Sequence, residues 1–417
     1  MATLASEASS NATQFEDVTL PEVWAENRWQ APFAALRAAG GIHHYADSHF
    51  GPYWAITTHA PIVEVESKPE IFSSSGELGG ITVAGDGIGN LQSYEVPMPM
   101  FIAMDPPNHT AKRKTVAPSL GPSPVAAMRA EAVMRTAKLF DELPLGQSFD
   151  WVDKVSIELT SQMLANLFDF PFEERRKLAY WSDHLADVET FKDEQKRKAR
   201  LEKAYEMGAA FHALWERKKN MPRATDLTSV MLNSEALGEM EDGEFMGQMI
   251  LLIVGGNDTT RNTMSGFVYG MENQPAARAQ LESDTSIIPN AVQEIVRWQT
   301  PLAHMRRTAV EDYVLNGHHI RKGDKVALWY ASANRDESVF PDGETIDLTR
   351  ENARRHLAFG YGIHRCVGAR VAELQLSVLM EELAKRQLRV RVEAEPEFVA
   401  GCFVHGYKSM QVRLEQY

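Results

Sequence analysis

The stretch Phe359-Gly360-Tyr361-Gly362-Ile363-His364-Arg365-Cys366-Val367-Gly368 decides the reading of this chain. It opens an apolar run of helical spacing, which puts Cys366 at a helix N-terminus, where the dipole and free backbone N–H groups favour a negative sulfur. The glycines let the backbone pass close to a flat group. One cysteine cannot close a zinc site, but it can be the single axial ligand of a haem iron. On average residue usage the pattern Phe-x-x-Gly-x-x-x-Cys-x-Gly arises by chance in roughly one chain per thousand of this length, which makes the loop a specific signal where a lone cysteine is not.

A second signal lies upstream, in Leu251-Leu252-Ile253-Val254-Gly255-Gly256-Asn257-Asp258-Thr259-Thr260. Two glycines inside an apolar helix cost about 1 kcal/mol each relative to alanine, so some other requirement outweighs helix propensity. The Thr259 hydroxyl can bond the Gly255 carbonyl, and the resulting widening or kink would leave a recess. The alternative is a helix that starts at Asp258, but apolar residues precede the motif at helical spacing. Glu294 and Arg297 share one helix face at i, i+3. His109 and Arg113, at i, i+4 after Asp105-Pro106-Pro107, put two donors on one turn, suited to a ligand with carboxylates. A solvated basic face is the other reading, because Lys112 and Lys114 adjoin.

Taken in order, the glycine-bearing helix, Glu294-x-x-Arg297 and the Cys366 loop resemble the cytochrome P-450 family, and the resemblance runs from end to end of the chain. It implies a mainly α fold with a minor β part, a triangular helix-rich prism around haem. It also implies one catalytic domain over residues 19–417 behind a flexible segment, 1–18. The implied cofactor is heme b (iron protoporphyrin IX), with Cys366 on the iron and the Phe359 ring shielding the sulfur. His109, Arg113, Arg307 and His364 would meet the propionates, with Arg306 as the rival to Arg307 if the register slips by one. Gly255, Gly256 and Gly368 would border the cofactor. Asp258 and Thr259 would be the catalytic acid–alcohol pair that relays protons to bound dioxygen. Glu294, Arg297 and Arg350 would form a structural charge cluster. The resemblance places Leu251, Val254, Gly255, Ala303, Phe403 and Val404 at the substrate, all apolar or small, so a strongly charged head near the iron is not expected; Leu91 and Met98, on the apolar Gly/Pro-rich loop, are further substrate candidates, with plain core as the other reading.

Within that family, Gly255–Thr263 and Met98–His109 look most like the soluble bacterial alkane and fatty-acid terminal hydroxylases. The resemblance implies a monooxygenase that uses O2 to hydroxylate an apolar aliphatic C–H bond. The alternatives are a peroxide-dependent hydroxylase, which the Asp258–Thr259 pair disfavours, a terpene or steroid hydroxylase, and a haem-based gas sensor or carrier. The sequence shows no reductase domain, flavin motif or cysteine cluster. Electrons are therefore expected from outside the chain, and the resemblance implies that a [2Fe–2S] ferredoxin, served by an NAD(P)H-dependent reductase, supplies them. Lys112, Arg113, Lys114, Arg354, Arg355, Arg365 and Arg370 are candidates for a basic dock.

Composition bounds the rest. The 417 residues carry 57 Asp and Glu against 43 Lys and Arg, a net charge of −14. That balance disfavours nucleic acid and anionic membrane surfaces. Two cysteines do not make a disulfide framework and suit a reducing compartment. Neither a signal peptide nor the ~20-residue apolar run of a membrane anchor is evident, so a soluble cytoplasmic protein is expected. Hydrophobic periodicity predicts a helix over 21–39, a hairpin over 43–59 turning at Gly51-Pro52 and a long functional loop over 73–107. Beyond it come mostly helix over 109–273, a helix over 290–298, strands over 310–333, a helix over 366–385 and strands over 388–414.

Overall fold

The apolar run around Gly255 lies inside a helix of 32 residues, Asp242–Asn273, in the computed structural model of the chain. The model describes residues 15–84, 97–187, 189 and 193–417. This helix is buried along most of its length, with Phe245, Met249, Ile253, Met264, Phe267 and Val268 among its core residues. A helix apolar on nearly every side must be surrounded by other elements. The helices Ile157–Phe168, Arg176–Ala186, Glu194–Lys219, Ile288–Gln299 and Ala369–Lys385 all pack on it. Pro122 at the first helical position, after Gly121, starts the Pro122–Glu142 helix, which packs on Ala369–Lys385.

The β part is small and divided among separate sheets. A five-stranded sheet runs in the order Ile42–Tyr45, Tyr53–Ile56, Lys325–Leu328, Met305–Ala309, Phe72–Ser73. It includes the expected hairpin, with Gly51 at φ 76° in its turn. Ser148–Asp150, Gln411–Gln416 and Leu388–Val392 make a three-stranded sheet. Tyr313–Leu315 and His318–Ile320 pair across Asn316 and Gly317, both at positive φ, as a two-residue hairpin requires. Mainly helical with a minor sheet component is thus the observed class.

Several boundaries differ from expectation. The helix expected over 21–39 is two, Pro21–Ala25 and Gln30–Ala38, with Asn27 at φ 50° between them. The break lets Trp24 and Trp29 stack 5.6 Å apart, and that aromatic packing outweighs helical continuity. Strand structure begins earlier than expected, at Met305, and Tyr330–Ala333 is helical. The helix expected from Cys366 starts at Ala369. Among the described residues no helix is long and apolar enough to cross a membrane.

Candidate active site

Cys366 follows the Gly362–His364 turn and precedes the Ala369–Lys385 helix. Its N–H donates to the Phe359 carbonyl at 2.7 Å, closing the loop. A Cβ on Gly362 would stand 2.3 Å from the Glu66 carbonyl oxygen, so only glycine lets the loop pass the His59–Glu66 helix. The Cys366 thiol is exposed, but into a cavity, partly open to solvent, that also touches Phe359, Val367 and Gly368. Burial within the surrounding protein pushes this thiol up from its ordinary value. The Gly368 N–H, Arg113 and Arg365 pull it down without outweighing burial. The Gly368 N–H thus acts on the sulfur in the expected sense, and a bound metal cation would add to that pull.

Across the cavity stands the glycine-bearing turn of the central helix. Thr259 Oγ1 donates to the Gly255 carbonyl at 2.8 Å while the helix stays continuous, so there is a recess without a break. The two glycines do different things. A Cβ on Gly255 would meet nothing within 4 Å, whereas one on Gly256 would stand 2.8 Å from Leu164 Cδ2. Gly255 keeps cavity space open; Gly256 lets the Ile157–Phe168 helix approach. Asp258 is buried and also reaches the cavity. Its Oδ1 accepts from Ser182 Oγ at 2.8 Å and Asn257 Nδ2 at 3.1 Å, and pairs with Arg261 at 3.1 Å. Arg261 also pairs with the more exposed Asp183. Burial raises the Asp258 pKa against the pull of Arg261.

One rim of the cavity is rich in cations and donors. His109 and His364 lie with ring centroids 4.2 Å apart, and all four of their ring nitrogens are buried without a hydrogen-bond partner. Burial lowers the His109 pKa to about 4 and drives that of His364 well below its ordinary value, so both rings are neutral near pH 7. Arg113 reaches the carbonyl of Arg365 and borders the cavity. Arg307 borders it too, while Arg306 turns to the carbonyls of Leu78 and Gly79, 2.8 Å from each. Of the two neighbouring arginines, Arg307 is the one that faces the cavity.

Behind the loop, Glu294 and Arg297 are fully buried and joined by two bonds of 2.7 Å. Arg350 adds a third, at 3.0 Å, to Glu294 Oε1. Arg297 donates to the carbonyls of Asn334 and Gly343 at 2.7 Å, which ties the chain ahead of the cysteine loop to the Ile288–Gln299 helix.

The apolar wall departs further from expectation. Leu251, Val254, Gly255, Phe403 and Val404 line the cavity, but Met98 and Ala303 do not. The Met98 carbonyl is pressed against Gly247, where a Cβ would stand 2.7 Å from it, and the Met98 side chain is in the core. Ala303 uses both backbone groups in bonds to Phe403 and Ala331, and its methyl joins the Trp24–Trp329 cluster. Their neighbours Phe101, Ile102, Leu302 and Met305 reach the cavity instead. Leu91 lies outside the described residues. Arg261 is legible in the sequence as an i, i+3 partner of Asp258, whereas nothing local marks Glu66, Tyr330 or Ser182.

A family model described as Cytochrome P450 matches residues 145–387. The chain belongs to the cytochrome P450 family. The solved structure of CYP153D17 from Sphingomonas sp. PAMC 26605 superposes with a TM-score of 0.90 at 56% identity, over 96% of this chain and 99% of that one. Linalool 8-monooxygenase of Pseudomonas putida is 34% identical over 95% of this chain and 98% of its own length. Methyl-branched lipid omega-hydroxylase of Mycobacterium tuberculosis H37Rv is 33% identical over 86% of this chain and 83% of its own length. The protein is thus a P450 monooxygenase, of a family that works with haem. The site suits that cofactor. Buried polar atoms are nearly always paired, so four orphaned imidazole nitrogens beside Arg113 and Arg307 fit a group that brings its own carboxylates. A lone thiol opposite open space at Gly255 fits a single axial ligand.

Proposed function

We propose that this P450 hydroxylates the chain end of an apolar aliphatic substrate, an n-alkane, fatty acid or similar, with O2 and two electrons from a [2Fe–2S] ferredoxin. The observation that carries the reading is the division of the cavity. Leu251, Val254, Phe101, Ile102, Leu302 and Phe403 make a wall without a charged group, while the charged and titratable side chains sit at the cysteine-side rim and the Asp258 turn. Two relatives named for a lipid omega position and for linalool support an aliphatic substrate. Burying each methylene of such a chain contributes about 0.8 kcal/mol, so affinity would rise with length until the cavity is filled.

Each residue then has a task. Haem, once bound, supplies the iron chemistry that activates dioxygen. Cys366 would hold the iron through Sγ and push electron density toward it. His109, Arg113, Arg307 and His364 would hold the cofactor's carboxylates through their N–H groups. Arg261 and Asp183 lead from the surface to the Asp258 carboxyl, whose raised pKa suits it to carry a proton. Thr259 Oγ1, anchored by donating to Gly255, keeps lone pairs free to take part in delivering that proton into the cavity. Lys114, Arg354, Arg355, Arg365 and Arg370 are exposed and would serve the acidic ferredoxin. Lys112 is drawn into an ion pair with Glu244, and Arg113 turns inward, so both leave the dock.

The test is a titration of the ferric protein with alkanes, fatty acids, terpenes and steroids, following the low-to-high spin shift, with product analysis of turnover driven by ferredoxin. Terminal alcohols from the linear series support the proposal. Tight binding of cyclic terpenes or steroids alone, or equal rates with hydrogen peroxide, would replace it. Charge reversal at Lys114 and Arg355 should weaken ferredoxin-driven turnover most at low salt.

A further inference from the structure

Glu66 is a buried carboxylate at the rim of the cavity, beside groups suited to the cofactor's own carboxylates. Burying a charge is costly unless it is paired. Its Oε1 accepts from Arg307 Nη2 at 3.0 Å and from the Tyr330 hydroxyl at 2.7 Å, while Oε2 is buried without a hydrogen-bond partner. The same residue's backbone carbonyl is what Gly362 passes closely, and a Cβ on Gly360 would stand 3.8 Å from Oε1. Glu66 therefore joins three elements: the end of the His59–Glu66 helix, Arg307 on its strand, and the turn that leads to Cys366.

We infer that Glu66 is a positioning residue for the cofactor's carboxylate edge: it fixes the Arg307 guanidinium and shares its charge, so that only part of that charge acts on the cofactor. The inference rests on the haem reading of the site. Arg307 cannot turn freely, because its Nη1 donates to the Arg306 carbonyl at 2.8 Å and Nη2 is held by Glu66. An anion beside this arginine opposes the electron that the cofactor must accept. Removing the negative charge while keeping the shape should favour reduction.

The experiment compares the ferric–ferrous midpoint potentials of the wild-type holoprotein and Glu66→Gln by spectroelectrochemistry across a pH series. The variant should shift the reduction equilibrium severalfold toward ferrous, approaching tenfold, which is about 59 mV for one electron. The difference should shrink as pH falls and the wild-type Glu66 takes up a proton. Burial raises its pKa against Arg307, Tyr330 and the Tyr361 N–H. Titration of His109 or His364, which flank Arg307 and Arg113, is read from the Glu66→Gln series itself, which has no carboxyl at this position. A space-filling role alone would give two equal potentials at every pH, and that result overturns the inference. Glu66→Asp, which keeps the charge, should stay nearer the wild type than Glu66→Gln does; the reverse order also overturns it. The carbon-monoxide spectrum of the reduced protein separates the two claims: without a thiolate-ligated band the haem reading fails, and with a normal band but equal potentials only the role of Glu66 fails.

Discussion

The cavity's two sides obey different rules. On the cysteine side, His109, Arg113, Arg307, His364, Glu66 and Cys366 are polar groups in or near the protein interior, and each must find a specific partner or be left unsatisfied at about 1–3 kcal/mol. Elsewhere along the lining, Leu251, Val254, Leu302 and Phe403 need only fill space with apolar surface. A side built from directional bonds tolerates almost no exchange, while a side built from volume tolerates a good deal. The first defines the chemistry and the second the substrate.

Substitutions should expose this contrast, beginning with the sulfur. Cys366→Ala should abolish product formation and the thiolate-ligated carbon-monoxide band; retained hydroxylation would show that the polar side does not set the chemistry. Next, Asp258→Asn should slow turnover by about 10²–10⁴-fold, the usual contribution of a positioned acid. Single-turnover kinetics would show whether the step that slows is the one that consumes protons.

Glu294→Ala strands the buried Arg297 and should destabilise the fold by about 3–5 kcal/mol, read from denaturant melts. His304 offers a pH test just behind the wall. Its Nε2 accepts from the Val83 N–H at 3.0 Å, so Nδ1 must donate to the Cys402 carbonyl, 2.8 Å away. Burial lowers its pKa to about 4 from 6.5, so between those values the unfolded chain binds a proton that the folded one refuses. Stability should accordingly fall as pH drops from 6.5 toward 4, by up to about 1.4 kcal/mol per unit from this residue, and His304→Gln should flatten that slope. The smallest effect belongs to the apolar wall. Leu251→Met, a volume-conserving exchange, should cost less than about 1.5 kcal/mol in substrate affinity by spin-shift titration. A loss as large as that at Asp258 would erase the distinction between the sides.

The same contrast governs what could be read in advance. Directional chemistry leaves short, unusual patterns in the chain. The spacing around Cys366 and the Gly255–Thr259 turn were legible because few structural roles call for those residues in that arrangement, while the common Glu294–Arg297 pair gained meaning only from its place between them. The structure still assigned them parts that spacing does not distinguish. Gly255 leaves space for a ligand while Gly256 admits Leu164, and Arg307 faces the cavity while Arg306 faces away. Met98 and Ala303 lie in the core and not at the wall because many apolar positions look alike in sequence, and only the packing decides which of them meets open space.

By itself, then, the sequence determined the cysteine loop, the helix-rich class and the turn that carries Asp258 and Thr259, because local spacing and backbone preference suffice to write them. Only the tertiary structure decided which apolar side chains meet the substrate and that Glu66, 241 residues from Arg307 along the chain, closes an ion pair with it. Contacts between distant segments depend on how helices and sheet pack, and a close fit in three dimensions leaves no local mark on the chain.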